Sequence, residues 1–350
     1  MLGSEVQPRP WWRPRVARQV RITITLIAMV FVVEYLLLPE LASARRQVSA
    51  LHDVNIYLVV LAVVFEVFAI LAYTELSHAV FQPEPPNRWR LLRINLSTLA
   101  VSHVVPGGTA PGGALGYVLL TDAAVPGATA AFGLAVQGIG SAVVLNLILW
   151  LALVFSIPLQ GFNPLYGFAA IAGVLLLLAF GGSILLLMRG DAHAADWVGR
   201  VARRIPFLGE ERAMRLVAHV VERVTILFKD RRLLVRAMSW AAANWMLDAT
   251  CLWIFLWSFG VVVSPIDLLV AYGLAMVLAV IPITPAGLGV VEAVLVPTLV
   301  GFGVPKADAL LGVLGYRLVN FWLPIPLGGA AYLSLRHPWR RRDATRAEAG

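Results

Sequence analysis

From Pro164 to Met188 the chain reads PLYGFAAIAGVLLLLAFGGSILLLM, without one charged residue. At 1.5 Å per residue, about 20 mostly apolar residues cross a hydrocarbon core of about 30 Å. The run is therefore long enough to span a bilayer, and backbone at that depth must satisfy its own N–H and C=O groups as a helix or a closed barrel. Composition agrees: 59% of residues are hydrophobic and 14% charged, against about a quarter charged in soluble domains. An all-α integral membrane protein is expected. The single cysteine, Cys251, lies in another apolar run, so neither a disulfide framework nor a cysteine-based metal site is expected. No cofactor or metal is called for.

The net charge of +8 is gathered in short arginine-rich stretches beside apolar runs. That distribution is an orientation signal and not a nucleic-acid surface. Arg9, Arg13, Arg15, Arg18 and Arg21 precede a first span at about 22–38 and put residues 1–21 in the cytoplasm. A cleavable signal peptide is the other reading of this stretch, but Glu34 and the length of the run favour an uncleaved anchor. A second span, about 54–81, returns to Arg88, Arg90 and Arg93, and 189–233 is basic and cytoplasmic. Pro164 to Met188 then runs inward and about 127–157 outward, so residues 91–126 begin and end on the cytoplasmic side. In the second half, 234–259 leaves the cytoplasm and about 307–335 re-enters it before RHPWRRR, so 266–303 begins and ends outside. The expected architecture is six full spans and two re-entrant hairpins of opposite entry, 91–126 and 266–303, in halves 22–188 and 234–336. This is the layout of an inverted-topology repeat. Both termini are expected in the cytoplasm of a multi-pass cell-membrane protein, with 337–350 a disordered tail.

Each expected hairpin is broken at its tip: PGGTAPGG over Pro106, Gly107, Gly108, Thr109, Pro111, Gly112 and Gly113, and PITPAGLG over Pro282, Thr284, Pro285, Gly287 and Gly289. Irregular backbone at membrane depth survives only where protein or a wet cavity satisfies it. Such paired breaks point to a transport site near the midplane. Thr284 before Pro285, and Thr109 before Pro111, suit an N-cap and first turn. Each second arm would then aim a positive helix end at an anion such as phosphate. Prolines that merely kink ordinary spanning helices are the alternative.

The segment PITPAGLGVVEAVLVPTLVGFGVPKADALLGVLGYRLVNFWLPIPLG resembles the lysylphosphatidylglycerol synthase transmembrane-region family, also called flippase-like or UPF0104 proteins. The family element P-x-(S/T)-P-x-G-L-G-x-x-E falls on Pro282, Thr284, Pro285, Gly287, Leu288, Gly289 and Glu292, and its later (Y/F)-R pair on Tyr316 and Arg317. Over most of 21–336 the general layout is similar. The first hairpin departs from the pattern: where many members carry a Gly-Glu and an arginine, this chain has uncharged Gly112, Gly113 and Gly116. The resemblance implies movement of lipids or lipid-linked precursors between leaflets. Members with an added soluble domain attach amino acids to phosphatidylglycerol, and that activity is not implied here.

Ionisable residues at depth are functional candidates. Glu292, about two turns past the second tip, and Arg317 fall at similar depth and suit an ion pair, either locking the hairpin or meeting substrate. Glu66 and Asp248 occupy matching positions before each hairpin and, with Glu292, are candidates for proton coupling; hydrogen-bonded structural carboxyls are the alternative. Asn320 and His103 are placed as cavity lining or interhelical glue, and Gln137 and Asn146 as glue. In the insert, Met214, Val217, Val220, Val221, Val224, Leu227 and Phe228 form one apolar face of an amphipathic helix, interfacial or packed on the bundle floor. P-loop, His-Glu-x-x-His, paired-cysteine and Gly-x-Ser-x-Gly patterns do not occur. The expected function is a flippase for an anionic phospholipid or polyprenyl-phosphate lipid. The alternatives are a non-transporting partner of a lipid-modifying enzyme, or a membrane transferase.

Overall fold

The computed structural model describes residues 54–82, 85–105, 109–160, 230–279 and 285–336, with isolated helical positions between 167 and 178. The basic N-terminus, the first span, most of Pro164 to Met188, the amphipathic insert and the C-terminal tail lie outside the described residues. So do the tip residues Pro106, Gly107, Gly108, Pro282 and Thr284. What is described is helical: α1 (Ile56–Val80), α2 (Arg88–Val104), α3 (Thr109–Thr121), α4 (Gly127–Gln160), α5 (Arg231–Ser258), α6 (Pro265–Ala279), α7 (Val290–Gly301), α8 (Lys306–Arg317) and α9 (Pro324–Arg336), with a 3₁₀ turn at Pro285–Gly287 and a π-turn at Leu318–Trp322.

Helix α1 inverts the soluble pattern. Its large apolar residues Ile56, Tyr57, Val60, Val67 and Phe68 are exposed, while Ala62, Glu66, Ala69, Ala72, Thr74 and Ser77 are buried. A contiguous exposed apolar surface of this kind belongs against lipid. The small buried residues allow close helix approach where packing, not water exclusion, holds helices together. Its partner is α5, which turns Ala237, Ala241 and Ala249 inward. The pair is antiparallel: Asn244 Nδ2 donates to Ala69 O at 3.0 Å at mid-helix, and Asn55 N to Ser258 O at 3.3 Å where α1 begins and α5 ends. Asn55 and Asp230 cap the two helices, their side chains accepting from Tyr57 N at 3.1 Å and from Arg232 N at 3.0 Å.

Around this pair the packing is reciprocal. Helix α2 packs on α3 and on α9, while α6 packs on α7 and on α4. Exchanging α1 with α5, α2 with α6, α3 with α7, and α4 with the α8–α9 unit returns the same set of partners. Length and composition together set the longest apolar helices apart from the shortest; α5, at 28 residues, is long but is not among the apolar spans. Ile56–Val80, Gly127–Ser156 and Lys306–Arg336 are long and apolar enough to cross a membrane. The 13, 15 and 12 residues of α3, α6 and α7 reach only about 18 to 23 Å. Close approach ties the short helices to their neighbours. A Cβ on Gly112 of α3 would lie 2.5 Å from Thr98 O of α2, and one on Gly328 of α9 would lie 2.2 Å from Leu96 O.

Two local departures from helix shape the interior. Thr284–Pro285 was expected to start the second arm, but α7 begins only at Val290, because Ala286 (φ 42°), Gly287 (φ 71°) and Gly289 (φ 81°) are left-handed. No right-handed helix propagates through such residues, and for Ala286 the conformation costs about 1–2 kcal/mol. Glu292 therefore stands in the first turn of α7, not two turns beyond the tip. At the first tip Thr109 is itself the first residue of α3, with Pro111 in the first turn, where a missing N–H costs nothing. The π-turn also has an identifiable cause. Pro324 has no N–H to return to Asn320, and Leu323 N instead reaches back five residues to Leu318 O at 3.0 Å.

Candidate functional site

Arg317 ends α8, and the π-turn that follows sends its neighbours in different directions. The guanidinium Nε donates to Glu292 Oε1 at 2.6 Å, with side chains only 5% and 13% exposed. Glu292 Oε2 accepts from Gly289 N at 2.7 Å. The helix end that was expected to face an anion thus already carries the protein's own carboxylate. Arg317 also stands 4.6 Å over the ring of Phe321. That ring stacks on His103 at 4.5 Å, and His103 Nδ1 lies 2.9 Å from Phe321 O. His103 belongs to the end of α2, and α2 also packs on the Pro285–Gly287 turn, so the end of the first arm and the second turn both lie near Arg317. Among the described residues, Arg317 Nη2 is buried with no hydrogen-bond partner.

One turn deeper lies a second polar cluster. Asn320 Nδ2 donates both to Glu66 Oε1 at 3.2 Å and to Asp248 Oδ1 at 2.9 Å. Tyr316 OH donates to Asp248 Oδ2 at 3.0 Å, and Tyr272 OH donates to the same oxygen. Glu66 and Asp248 were read from sequence as separate residues at matching positions; the fold joins them through one amide. Asn244, one turn before Asp248, stays out of the cluster and bonds Ala69 O. Tyr272 and Phe321 were missed by sequence reasoning. The available signal for Tyr272 was a lone hydroxyl in the apolar run LLVAYGLAMV.

The remaining candidates divide. Gln137 Nε2 donates to Ser77 Oγ, which also accepts from Asn95 Nδ2 at 2.8 Å, so α1, α2 and α4 are tied at one hydroxyl. Asn146 instead bonds Ala142 O of its own helix at 3.2 Å, and its Oδ1 has no partner among the described residues. The expected glue is absent there because an asparagine at mid-helix can turn back on the carbonyl four residues earlier. Gly112 is sealed against α2, whereas a Cβ on Gly113 would meet nothing within 4 Å. No cluster of three or more His, Cys, Asp or Glu able to hold a metal occurs among the described residues.

The family model described as Lysylphosphatidylglycerol synthase TM region matches residues 19–328. No curated protein matches the chain.

Proposed function

The chain belongs to the lysylphosphatidylglycerol synthase TM region family, and from that premise we propose that it is a flippase, carrying an anionic phospholipid or polyprenyl-phosphate lipid between leaflets. The observation that carries the reading is the buried Nη2 of Arg317, without a hydrogen-bond partner among the described residues, beside the start of α7 and the end of α2. A buried cationic donor without an acceptor is costly. An anionic oxygen of a head group is the natural complement, since a guanidinium fork recognises phosphate with fixed geometry. Glu292 takes the neighbouring Nε of the same guanidinium and balances its charge.

The short arms support the rest of this reading. Helix pairs α2–α3 and α6–α7 act as two re-entrant hairpins of opposite entry, and the reciprocal packing of the two halves supports an inverted repeat about the α1–α5 contact. The head group passes between the tips, past Pro111, Gly113, Gly287 and Gly289, while the tail stays in lipid. Six full spans, cytoplasmic termini and a cell-membrane location complete the proposal.

Purified protein in liposomes provides the test, with fluorescent phosphatidylglycerol as the probe. Wild type is expected to equilibrate the probe across the bilayer and Arg317→Ala to lose that activity. Unchanged flipping by Arg317→Ala, in protein that folds and inserts as wild type does, would remove Arg317 from the site. A wild-type protein that flips neither phospholipid nor polyprenyl phosphate would be a non-transporting partner of a lipid-modifying enzyme.

A further inference from the structure

The donors around Glu66 and Asp248 are unevenly shared. Asp248 receives three: the hydroxyls of Tyr272 and Tyr316 on Oδ2 and the Asn320 amide on Oδ1. Glu66 receives one N–H donor, from the same amide at 3.2 Å on Oε1, with only the weak S–H of Cys251 beside it. Its Oε2 is buried without a hydrogen-bond partner among the described residues, and the residue is only 5% exposed. Asp248 and Cys251 both lie within hydrogen-bonding reach of the Glu66 carboxyl. Two adjacent carboxylates cannot both be ionised in such a place without a large penalty, and a pair of this kind titrates as a unit. Three donors favour Asp248 as the ionised partner. A proton on Glu66 Oε2 converts the orphaned acceptor into a donor beside Asp248, and every oxygen of the pair is then satisfied.

A metal ion fits this arrangement poorly. Hard cations take about six or more oxygen acceptors, whereas the side chains of Tyr272, Tyr316 and Asn320 present O–H and N–H donors to the pair, and no third carboxyl or histidine joins it among the described residues. The neighbourhood is otherwise sparse in charge. Facing the pair are Cys251 from α5, Tyr272 from α6, Tyr316 and Arg317 from α8, and Asn320 from the π-turn. Helix α4, as described, carries no ionisable side chain, and the nearest on α2 is His103, behind Phe321.

We propose that Glu66 and Asp248 bind one exchangeable proton, and that its release is transmitted through Tyr316, Asn320 and the π-turn to the Arg317–Glu292 pair, coupling lipid movement to the proton gradient. The coupling half rests on the flippase reading; the proton site does not. The geometry supplies the link, because consecutive residues Tyr316 and Arg317 face the two sites and Asn320 bridges both carboxyls. Loss of the proton leaves two like charges beside that amide. The added negative charge on the pair draws the Arg317 guanidinium away from Glu292 toward it, which frees the fork for a head group.

Two measurements on the full chain test this. Infrared difference spectra of purified protein across a pH titration are expected to contain a protonated-carboxyl C=O band that disappears in Glu66→Gln. Reversing a pH gradient across liposomes holding wild type is expected to change the flipping rate several-fold, and the same reversal with Glu66→Gln to change nothing. If Glu66→Gln does not fold, Tyr316→Phe replaces it and is expected to shift the pH at which the band appears. A wild type without the band at any pH overturns the proton site, even where flipping is intact. A band that survives Glu66→Gln, or a sodium gradient that replaces the pH gradient, also overturns it. A band lost in Glu66→Gln in a protein that flips nothing upholds the site and defeats the flippase reading.

Discussion

Two buried polar sites lie one turn apart and are built on opposite plans. At Arg317–Glu292 an acid meets a base, and what remains unsatisfied among the described residues is a donor, Nη2. At Glu66–Asp248 an acid meets an acid, and what remains among the same residues is an acceptor, Oε2. The first site is complementary to an anion and the second to a proton. Opposite charges at depth cancel each other and leave geometry to choose the ligand. Like charges cannot cancel, so the surrounding hydroxyls and amide decide which of the two keeps its charge. A residue list drawn from sequence contains both pairs and does not distinguish these plans.

The largest expected effect comes from breaking the acid–base pair. Arg317→Ala leaves Glu292 buried and uncompensated, a loss of about 3–5 kcal/mol, and a marked fall in the thermal midpoint of detergent-solubilised protein should accompany the loss of flipping. The double variant Arg317→Ala/Glu292→Ala should recover part of that stability and none of the transport. Next comes Asp248→Ala, which strands the hydroxyls of Tyr272 and Tyr316 at about 1–3 kcal/mol per orphaned group. Its thermal midpoint should fall well below that of Glu66→Gln, since Glu66 receives a single N–H donor. Equal falls would erase the asymmetry between the carboxyls. Tyr272→Phe removes one of three donors to Asp248, and a decrease of about 1 kcal/mol in chemical-denaturant stability is expected. Smallest is Asn146→Leu, which touches neither site: it deletes an amide whose oxygen has no partner among the described residues and should leave stability within about 0.5 kcal/mol and flipping unchanged.

How far the sequence foretold this varies by residue for physical reasons. Apolar runs and arginine clusters made the membrane class legible, because solvation by lipid imposes itself on composition. The Arg317–Glu292 pair was legible because charges at depth must find each other. The start of α7 was not: the Thr-Pro signature is a genuine helix-start signal, but three left-handed residues after it postpone the helix to Val290. Nor was the meeting of Glu66 with Asp248 legible. Matching positions in two helices do not reveal that the helices pack face to face, and that depends on the run of small residues at Ala62, Ala69, Ala241 and Ala249. Tyr272 became a partner only through the fold, since nothing in its own segment names Asp248 as its acceptor.

The wide turn at Leu318–Trp322 also sets how this chain tolerates changes in length. It holds one residue more than an ordinary helical turn, and each residue of an α-helix rotates its successors by about 100°. Excising Leu318 or Val319 would shorten the wide turn and spin everything after it by that angle. Asn320 would swing off the carboxyls, and Gly328 would leave its seat on Leu96. A frame-preserving deletion at this spot is therefore a harsher insult than any of the substitutions above, although it removes the least matter relative to its effect.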